Sequence, residues 1–112
     1  MTARGAAAEA AAAAFLEARG LRILDRNFRT RMGEIDLVAD HDGTLVFVEV
    51  RMRASERFGG AAASITAAKR RRIVAASRLY LARLRTEPRC RFDAVLLDGE
   101  GAIRWIQGAF EA

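Results

Sequence analysis

Two stretches of the chain carry apolar residues with helical spacing. The first, Thr2–Arg19, is built of Ala, Glu, Leu and Arg, all good helix formers, and Gly20 follows as a typical helix stop. Its apolar stripe consists of Ala8, Ala11, Ala12, Phe15 and Leu16. The second stretch runs from about Thr66 to Arg85, and Pro88 lies just beyond it. Both stretches are predicted to form helices that bury one face.

Five shorter runs have the apolar composition of strands. They are Leu21–Arg31, Glu34–Ala39, Leu45–Met52, Phe92–Leu97 and Ala102–Ile106. The order is therefore helix, three strands, helix, two strands, which predicts a single α/β domain over residues 1–112. The long helix between the third and fourth strands predicts that these two strands are parallel and joined by a right-handed crossover.

The second and third strands are joined by a segment that contains Asp42-Gly43, a pair typical of two-residue hairpin turns. With these two residues as the turn, Asp36 lies directly opposite Glu49, and Glu34 lies directly opposite Arg51. Side chains alternate along a strand. One face of the hairpin is therefore predicted to be charged, with Glu34, Asp36, Phe47, Glu49 and Arg51, and the other to be apolar core, with Ile35, Leu37, Val46, Val48 and Val50.

Two carboxylates that face each other across a hairpin repel and destabilise it unless something compensates. Mg²⁺ (or Mn²⁺) held by Asp36 and Glu49 would do so, because it prefers oxygen ligands. Such an ion polarises a phosphoryl oxygen and activates water, and Arg51 could steady the phosphate. The alternative is a solvated face on which Glu34 pairs with Arg51 and Asp36 with a nearby arginine. The spacing alone leaves both interpretations open.

The chain of 112 residues has a formal net charge of +5 and a sequence pI near 10.9, which favours an anionic partner such as nucleic acid. Nothing in it is long and apolar enough to span a membrane. Cys90 is the single cysteine, so a reduced, cytoplasmic protein is expected. Nearly all basic residues are arginine, so part of the positive charge reflects a composition bias.

Four consecutive cations, Lys69-Arg70-Arg71-Arg72, open the second helix. Consecutive residues spread around a helix, so they do not all reach one ligand. We expect Arg53, Arg57, Lys69 and Arg72 to line one approach to the carboxylates and to bind phosphates of a nucleic acid. A solvated helix face is the competing interpretation. His41 is expected to be a turn residue, and Asp93 a structural partner for an arginine.

Four motifs carry a family resemblance. They are Gly33-Glu34-Ile35-Asp36-Leu37-Val38, then Leu45-Val46-Phe47-Val48-Glu49-Val50-Arg51, then Phe58-Gly59-Gly60-Ala61, and Arg91-Phe92-Asp93. In this order they resemble the YraN-type family of small bacterial proteins, which is similar to the PD-(D/E)XK nuclease superfamily and its archaeal Holliday junction resolvases. The resemblance implies a restriction-endonuclease-like αβββαβ core, a mixed central sheet flanked by helices, with Asp36 and Glu49 as metal ligands. Glu9 matches the helical glutamate that accompanies those ligands in resolvase-like members, whereas its spacing alone favours an exposed helical position.

Arg51 departs from the nuclease pattern, which has lysine at this position. Lysine is a compact donor whose pKa can shift, whereas arginine stays protonated and forms a fork for phosphate. Three accounts remain open: composition drift with activity kept, charge stabilisation without the lysine's role toward water, or loss of catalysis. Lys69 could substitute by reaching into the site from the second helix, although its spacing favours a solvated position.

The expected function is a metal-dependent endonuclease that hydrolyses phosphodiester bonds in DNA, including branched or damaged DNA. The alternative is a non-catalytic nucleic-acid-binding module on the same fold, and a small protein–protein adaptor is a third interpretation. A branched, two-fold substrate would suit a homodimer.

Overall fold

The computed structural model describes residues 3–53 and 65–112, and the side chains of residues 5–52 and 65–112. Within these ranges the chain forms α1 (Ala3–Ala18), β1 (Arg22–Arg29), β2 (Glu34–His41), β3 (Thr44–Arg53), α2 (Ala67–Leu81), β4 (Cys90–Asp98) and β5 (Ile103–Phe110). The predicted elements and their order are confirmed. Neither of the helices in the described ranges has the length and apolar character needed to cross a membrane.

The five strands form one sheet in the order β1-β2-β3-β4-β5. Only β3 and β4 are parallel among these neighbours, and the other three pairs are antiparallel. The predicted parallel pairing is thereby confirmed, with α2 in the connection between the two strands. The protein is a mixed α/β domain with a five-stranded sheet and two helices.

Both faces of the sheet carry buried apolar side chains. One cluster joins α1 to the sheet through Ala8, Ala12, Ala13, Leu16, Leu37, Ala39, Val46 and Val48. The other joins α2 to the sheet through Ile73, Ala76, Tyr80, Ile35, Val38, Phe47 and Phe92. The predicted apolar face is confirmed for Leu37, Val46, Val48 and Val50, which pack in the cluster under α1. The opposite face is not simply charged, because Phe47 on that face belongs to the cluster under α2.

The second helix begins as expected and ends early. Thr66 caps its N terminus by accepting a hydrogen bond from the N–H of Lys69 at 3.1 Å. At the other end, the N–H groups of Arg83 and Leu84 bond to carbonyl oxygens three residues back, which tightens the chain after Leu81. The helix therefore ends at Leu81, four residues before the predicted Arg85.

Candidate functional site

The hairpin between β2 and β3 has the predicted register over its outer part. Its pairs run from His41 with Thr44 to Leu37 with Val48, which confirms the turn at Asp42-Gly43. One position further, the backbone N–H of Val50 donates to the Oδ2 atom of Asp36 at 2.8 Å. A carboxylate thus takes the place of a main-chain acceptor, and the two strands part at Asp36.

Side-chain alternation along β2 is broken at this point. Ile35 belongs to the cluster under α2, whereas Leu37 belongs to the cluster under α1, so the prediction that the two share a face is wrong. On the neighbouring strand Asn27 has a φ of 53°, a left-handed conformation that asparagine tolerates well. The break leaves the carboxylate of Asp36 at the mouth of the hairpin.

Glu34 has a different partner from the predicted one. It pairs with Arg29 of β1 in the sheet register, and its Oε1 atom lies 3.6 Å from Nε of Arg29. The regular pairing of β2 with β3 ends at Leu37 and Val48, so it includes neither of the predicted pairs, Asp36 with Glu49 and Glu34 with Arg51. Glu34 therefore interacts with β1, whereas Asp36 bonds to β3.

Glu49 is a buried carboxyl group without full compensation. Its side chain is only 6% exposed. Its Oε2 atom accepts no hydrogen bond from any group in the described ranges. Burial, followed by a hydrogen bond and charge repulsion from Asp36, raises the pKa of Glu49 to about 8. The nearby cations Lys69 and Arg51 lower this pKa without cancelling the rise.

Lys69 reaches into the site from the first turn of α2. Its Nζ atom lies 3.5 Å from Oε2 of Glu49, an ion-pair distance at which no hydrogen bond forms. The lysine side chain is 34% exposed, so part of it remains in contact with solvent. The interpretation of Lys69 as a purely solvated helix residue is wrong.

Glu9 of α1 completes an acidic group above the end of β2. Glu9, Glu34 and Asp36 each offer a carboxylate oxygen, and these oxygens lie within 4.8 Å of one another. Glu9 is 9% exposed, so the expectation of an exposed helical glutamate is also wrong. Burial, then the charges of Asp36 and Glu34, raise the pKa of Glu9, and a side-chain hydrogen bond with Asn27 opposes the rise.

The acids form two overlapping sets with Asp36 in common. One set is Glu9, Glu34 and Asp36, and the other is Asp36 with Glu49. Oxygen ligands of this kind suit Mg²⁺ or Mn²⁺, and a cation would compensate both the repulsion and the unpartnered oxygen of Glu49. The donor set therefore fits a hard divalent ion. Glu34 was absent from the predicted ligands, although its spacing of two residues from Asp36 already placed the two side chains near each other.

Two of the four expected phosphate-binding residues, Lys69 and Arg72, lie three residues apart on α2, and Arg72 is exposed. Arg51 is half-buried on β3, and its charge lowers the pKa of Glu49. Arg57 lies outside the described residues, as does the side chain of Arg53. The neighbouring Arg70 donates to the carbonyl oxygen of Ile65 at 3.0 Å and serves the fold.

Asp93 belongs to a separate, buried network. It is fully buried on β4 and accepts hydrogen bonds from Arg91 at 2.8 and 3.0 Å, from Trp105 at 2.9 Å and from the N–H of Gly108 at 3.0 Å. The expectation that Asp93 pairs with an arginine is confirmed. His41 ends β2, and its Nδ1 atom lies 2.9 Å from Nη2 of Arg91, a contact that the expectation of a simple turn residue missed.

Comparison with known proteins places the chain in a family. Residues 8–97 match the family described as "Uncharacterised protein family UPF0102". A UPF0102 protein of Paracidovorax citrulli (strain AAC00-1) is 61% identical, with 98% of this chain and 84% of the relative covered. A UPF0102 protein of Nitrosomonas europaea is 56% identical, with 96% and 93% covered. One of Dechloromonas aromatica (strain RCB) is 57% identical, with 99% and 91% covered. The chain therefore belongs to the UPF0102 family.

Proposed function

We propose that this protein is a divalent-metal-dependent endonuclease that hydrolyses phosphodiester bonds in DNA, built on a restriction-endonuclease-like core. The order of α1, β1–β3, α2 and β4 agrees with the αβββαβ order of such a core. The net charge of +5 favours a polyanionic substrate. Fold order and charge are compatible with other functions as well, so the proposal depends on the acidic site.

The observation that carries the proposal is the state of Glu49. A carboxyl group that is 94% buried normally has its oxygens bonded, yet Oε2 has no hydrogen-bond partner within the described ranges and a second acid, Asp36, adjoins it. Two further carboxylates, from Glu9 and Glu34, gather around the same aspartate. A divalent cation bound by these carboxylates would offset their mutual repulsion.

Each neighbouring residue has a defined part in the proposal. Asp36 and Glu49 would hold the cation, with Glu9 and Glu34 as further oxygen ligands. The ion would supply polarisation of a phosphoryl oxygen and a lowered pKa of a bound water. Lys69 and Arg51 bring positive charge to the Glu49 side, where it can stabilise charge that develops on the phosphate. Lys69 thus brings to the site the ammonium group that a lysine at position 51 would supply in the nuclease pattern. This chain has arginine at that position.

The proposal is tested by cleavage of labelled linear, flapped and four-way DNA during a titration with Mg²⁺ or Mn²⁺. Asp36→Asn and Glu49→Gln should each lower the cleavage rate at least a hundredfold, because each removes a negative charge from the cation site. Asn at position 36 keeps an oxygen that can accept the N–H of Val50, so the fold should survive. Cleavage that persists at the parent rate in both folded variants would falsify the proposal.

Glu17→Gln is the matched control, because Glu17 is an exposed acid on α1 outside the cluster. Its cleavage rate should equal that of the parent. A second readout does not depend on catalysis. Because the pKa of Glu49 is raised to about 8, Mg²⁺ binding at pH 7 should release protons, and calorimetric titration in two buffers measures that release. Glu49→Gln should reduce the release, and the part that remains would come from Glu9, whose pKa is also raised.

A second candidate function is a non-catalytic nucleic-acid-binding module. The observation that favours it is Arg51, which occupies the strand position where the nuclease pattern has lysine. It predicts salt-sensitive DNA binding without cleavage at any metal concentration. An Arg51→Lys variant that cleaves while the parent does not would support this alternative for the parent protein.

A further inference from the structure

The turn between β1 and β2 is held by hydrogen bonds, and it carries an exposed methionine, Met32, two residues before Glu34 of the acidic site. The hydroxyl of Thr30 donates to the carbonyl oxygen of Gly33 at 2.8 Å and accepts from the N–H groups of Met32 and Gly33, each at 3.0 Å. The N–H of Thr30 also bonds to the carbonyl oxygen of Gly33. Met32 is 52% exposed, more than any other large hydrophobic residue in the described ranges.

A shallow groove of about 330 Å³ lies between this turn and α2. Its aliphatic part is formed by Met32, Ala68 and Ala75, and its cationic part by Arg71 and Arg72. Both arginines are exposed. The groove therefore combines a small apolar surface with two guanidinium groups that can bind phosphate or stack on a planar ring.

Each wall of the groove is close in sequence to a residue of the acidic site. Met32 precedes Glu34 by two residues, so their Cα atoms lie at most roughly 7 Å apart. Arg72 follows Lys69 by three residues, less than one turn of α2. The two walls are in direct contact, because Gly33 packs against the carbonyl oxygen of Arg72. A ligand that fills the groove would thus lie next to whatever Asp36, Glu49 and Lys69 bind.

We propose that this groove binds one unpaired nucleotide of the DNA strand, next to the phosphate held at the acidic site. The inference rests on the proposed function. Arg71 and Arg72 bind the nucleotide's phosphate, and its base packs on Met32, whose flexible and polarisable side chain adapts to flat surfaces. The volume is at the small end of ligand pockets, which suits a single nucleotide. A base stacked within a duplex cannot enter, so the substrates are DNAs with unpaired nucleotides at the cleavage position.

The test is binding of two fluorescently labelled DNAs, a linear duplex and the same duplex with a short single-stranded flap, with EDTA present to prevent cleavage. The parent should bind the flap DNA roughly two- to tenfold more tightly, because contact of a methionine sulfur with an aromatic ring contributes about that much. Met32→Ala should remove most of this preference. In Arg71→Ala/Arg72→Ala, the slope of log affinity against log salt should fall by up to about 2.

Two control variants lie elsewhere on α2. Leu79→Ala removes another exposed hydrophobic side chain, and Arg78→Ala removes another exposed cation. Neither residue lines the groove, so both variants should keep the parent's preference and differ little in salt dependence. Equal binding of duplex and flap by the parent, or a Met32→Ala variant that behaves like Leu79→Ala, overturns the inference.

The cleavage assay separates this inference from the proposed function. If cleavage requires Asp36 and Glu49 while the groove variants keep the flap preference, the groove inference fails alone. If the groove variants lose the preference and cleavage is absent or independent of Asp36, the groove is supported and the proposed catalysis fails. Absence of DNA binding at low salt, both in EDTA and with Mg²⁺ present, overturns both.

Discussion

The Nζ atom of Lys69 on α2 lies 3.5 Å from the Oε2 atom of Glu49 on β3. This contact joins a helix to a strand at the end of the hairpin where the four acids gather. It brings the chain's only lysine to the buried, otherwise unpartnered oxygen of the site. Since arginine occupies position 51, Lys69 is the one group in this sequence that can place an ammonium there.

Lys69→Met should therefore impair cleavage more than it impairs DNA binding. Methionine keeps the length and apolar stem of the side chain but removes the charge, and loss of one stabilising donor in an active site typically costs about 10²–10³ in rate. Single-turnover cleavage and equilibrium binding measure the two effects separately. Arg78→Met, an exposed cation on the same helix, is the control and should cleave normally. A Lys69→Met variant that cleaves at the parent rate shows that the contact is only structural.

The raised pKa of Glu49 makes the stability of the metal-free protein depend on pH. Below the ordinary value of 4.5, both the folded and the unfolded chain carry the proton, so there is no penalty. Between 4.5 and about 8 only the unfolded chain has lost it, and the free energy of unfolding falls as pH rises, by up to about 1.4 kcal/mol per pH unit. Above 8 the loss is complete.

Glu49→Gln mimics the protonated carboxyl group and should remove this dependence. Urea unfolding in EDTA from pH 5 to pH 8 should show the variant gaining stability relative to the parent as pH rises. Glu17→Gln should instead follow the parent at every pH, because Glu17 is exposed. If the free energies of unfolding of the parent and Glu49→Gln change equally with pH, Glu49 titrates in the folded protein as it does in the unfolded chain.

The elements and the hairpin register could be predicted from sequence because their causes are local. The Asp42-Gly43 turn fixes which residues face each other, and the predicted pairs hold from His41 to Leu37. Alternation then fails between Leu37 and Ile35, where the Asp36 carboxylate takes a main-chain hydrogen bond and Asn27 adopts a left-handed conformation. Alternation of side chains along a strand does not predict that a side chain such as that of Asp36 will replace a backbone acceptor.

The positions of Glu9, Glu34 and Lys69 depend on how the two helices dock on the sheet. Burial of Glu9 follows from the small residues Ala8 and Ala12, which let α1 lie close to the strands. Helical spacing shows only which residues share a face, and it contains no information about which strand end that face meets. For this reason the spacing favoured exposed positions for Glu9 and Lys69, and the structure places both at the site.

Gly33 sets the distance between α2 and the site, and its replacement should be costly. A Cβ atom added there would collide with the carbonyl oxygen of Arg72. Gly33→Ala must push the helix away, and overpacking of this kind typically costs about 1–3 kcal/mol. Gly99→Ala is the matched control, because a Cβ at Gly99 has no atom within 4 Å. Urea unfolding should show a loss only in Gly33→Ala, and equal stability of the two variants would mean that the turn yields without cost.

Displacement of α2 should also carry Lys69, three residues before Arg72 on the same helix, away from Glu49. In Gly33→Ala the cation then no longer lowers the pKa of Glu49, so this pKa should rise further. Calorimetric Mg²⁺ titration at pH 8 measures the change, because more protons must leave Glu49 than in the parent. If proton release is the same while stability falls, the turn moves instead of the helix.

Asp93 should be the acid whose loss most damages the fold without touching the site. Its buried carboxylate accepts four hydrogen bonds, two of them from Arg91, and it ties β4 to Trp105 and Gly108 on β5. Asp93→Ala leaves the Arg91 guanidinium and the Trp105 N–H without their acceptor, which typically costs about 3–5 kcal/mol. Asp93→Asn should cost less than Ala, since it keeps one accepting oxygen. Urea unfolding measures both losses, with Glu17→Gln as the neutral control.

An Asp93→Asn variant that folds should cleave DNA at the parent rate if the proposed function is right, because the network joins β4 to β5 and supplies no ligand to the Asp36 cluster. Loss of cleavage in a folded Asp93→Asn variant would instead tie this network to the site.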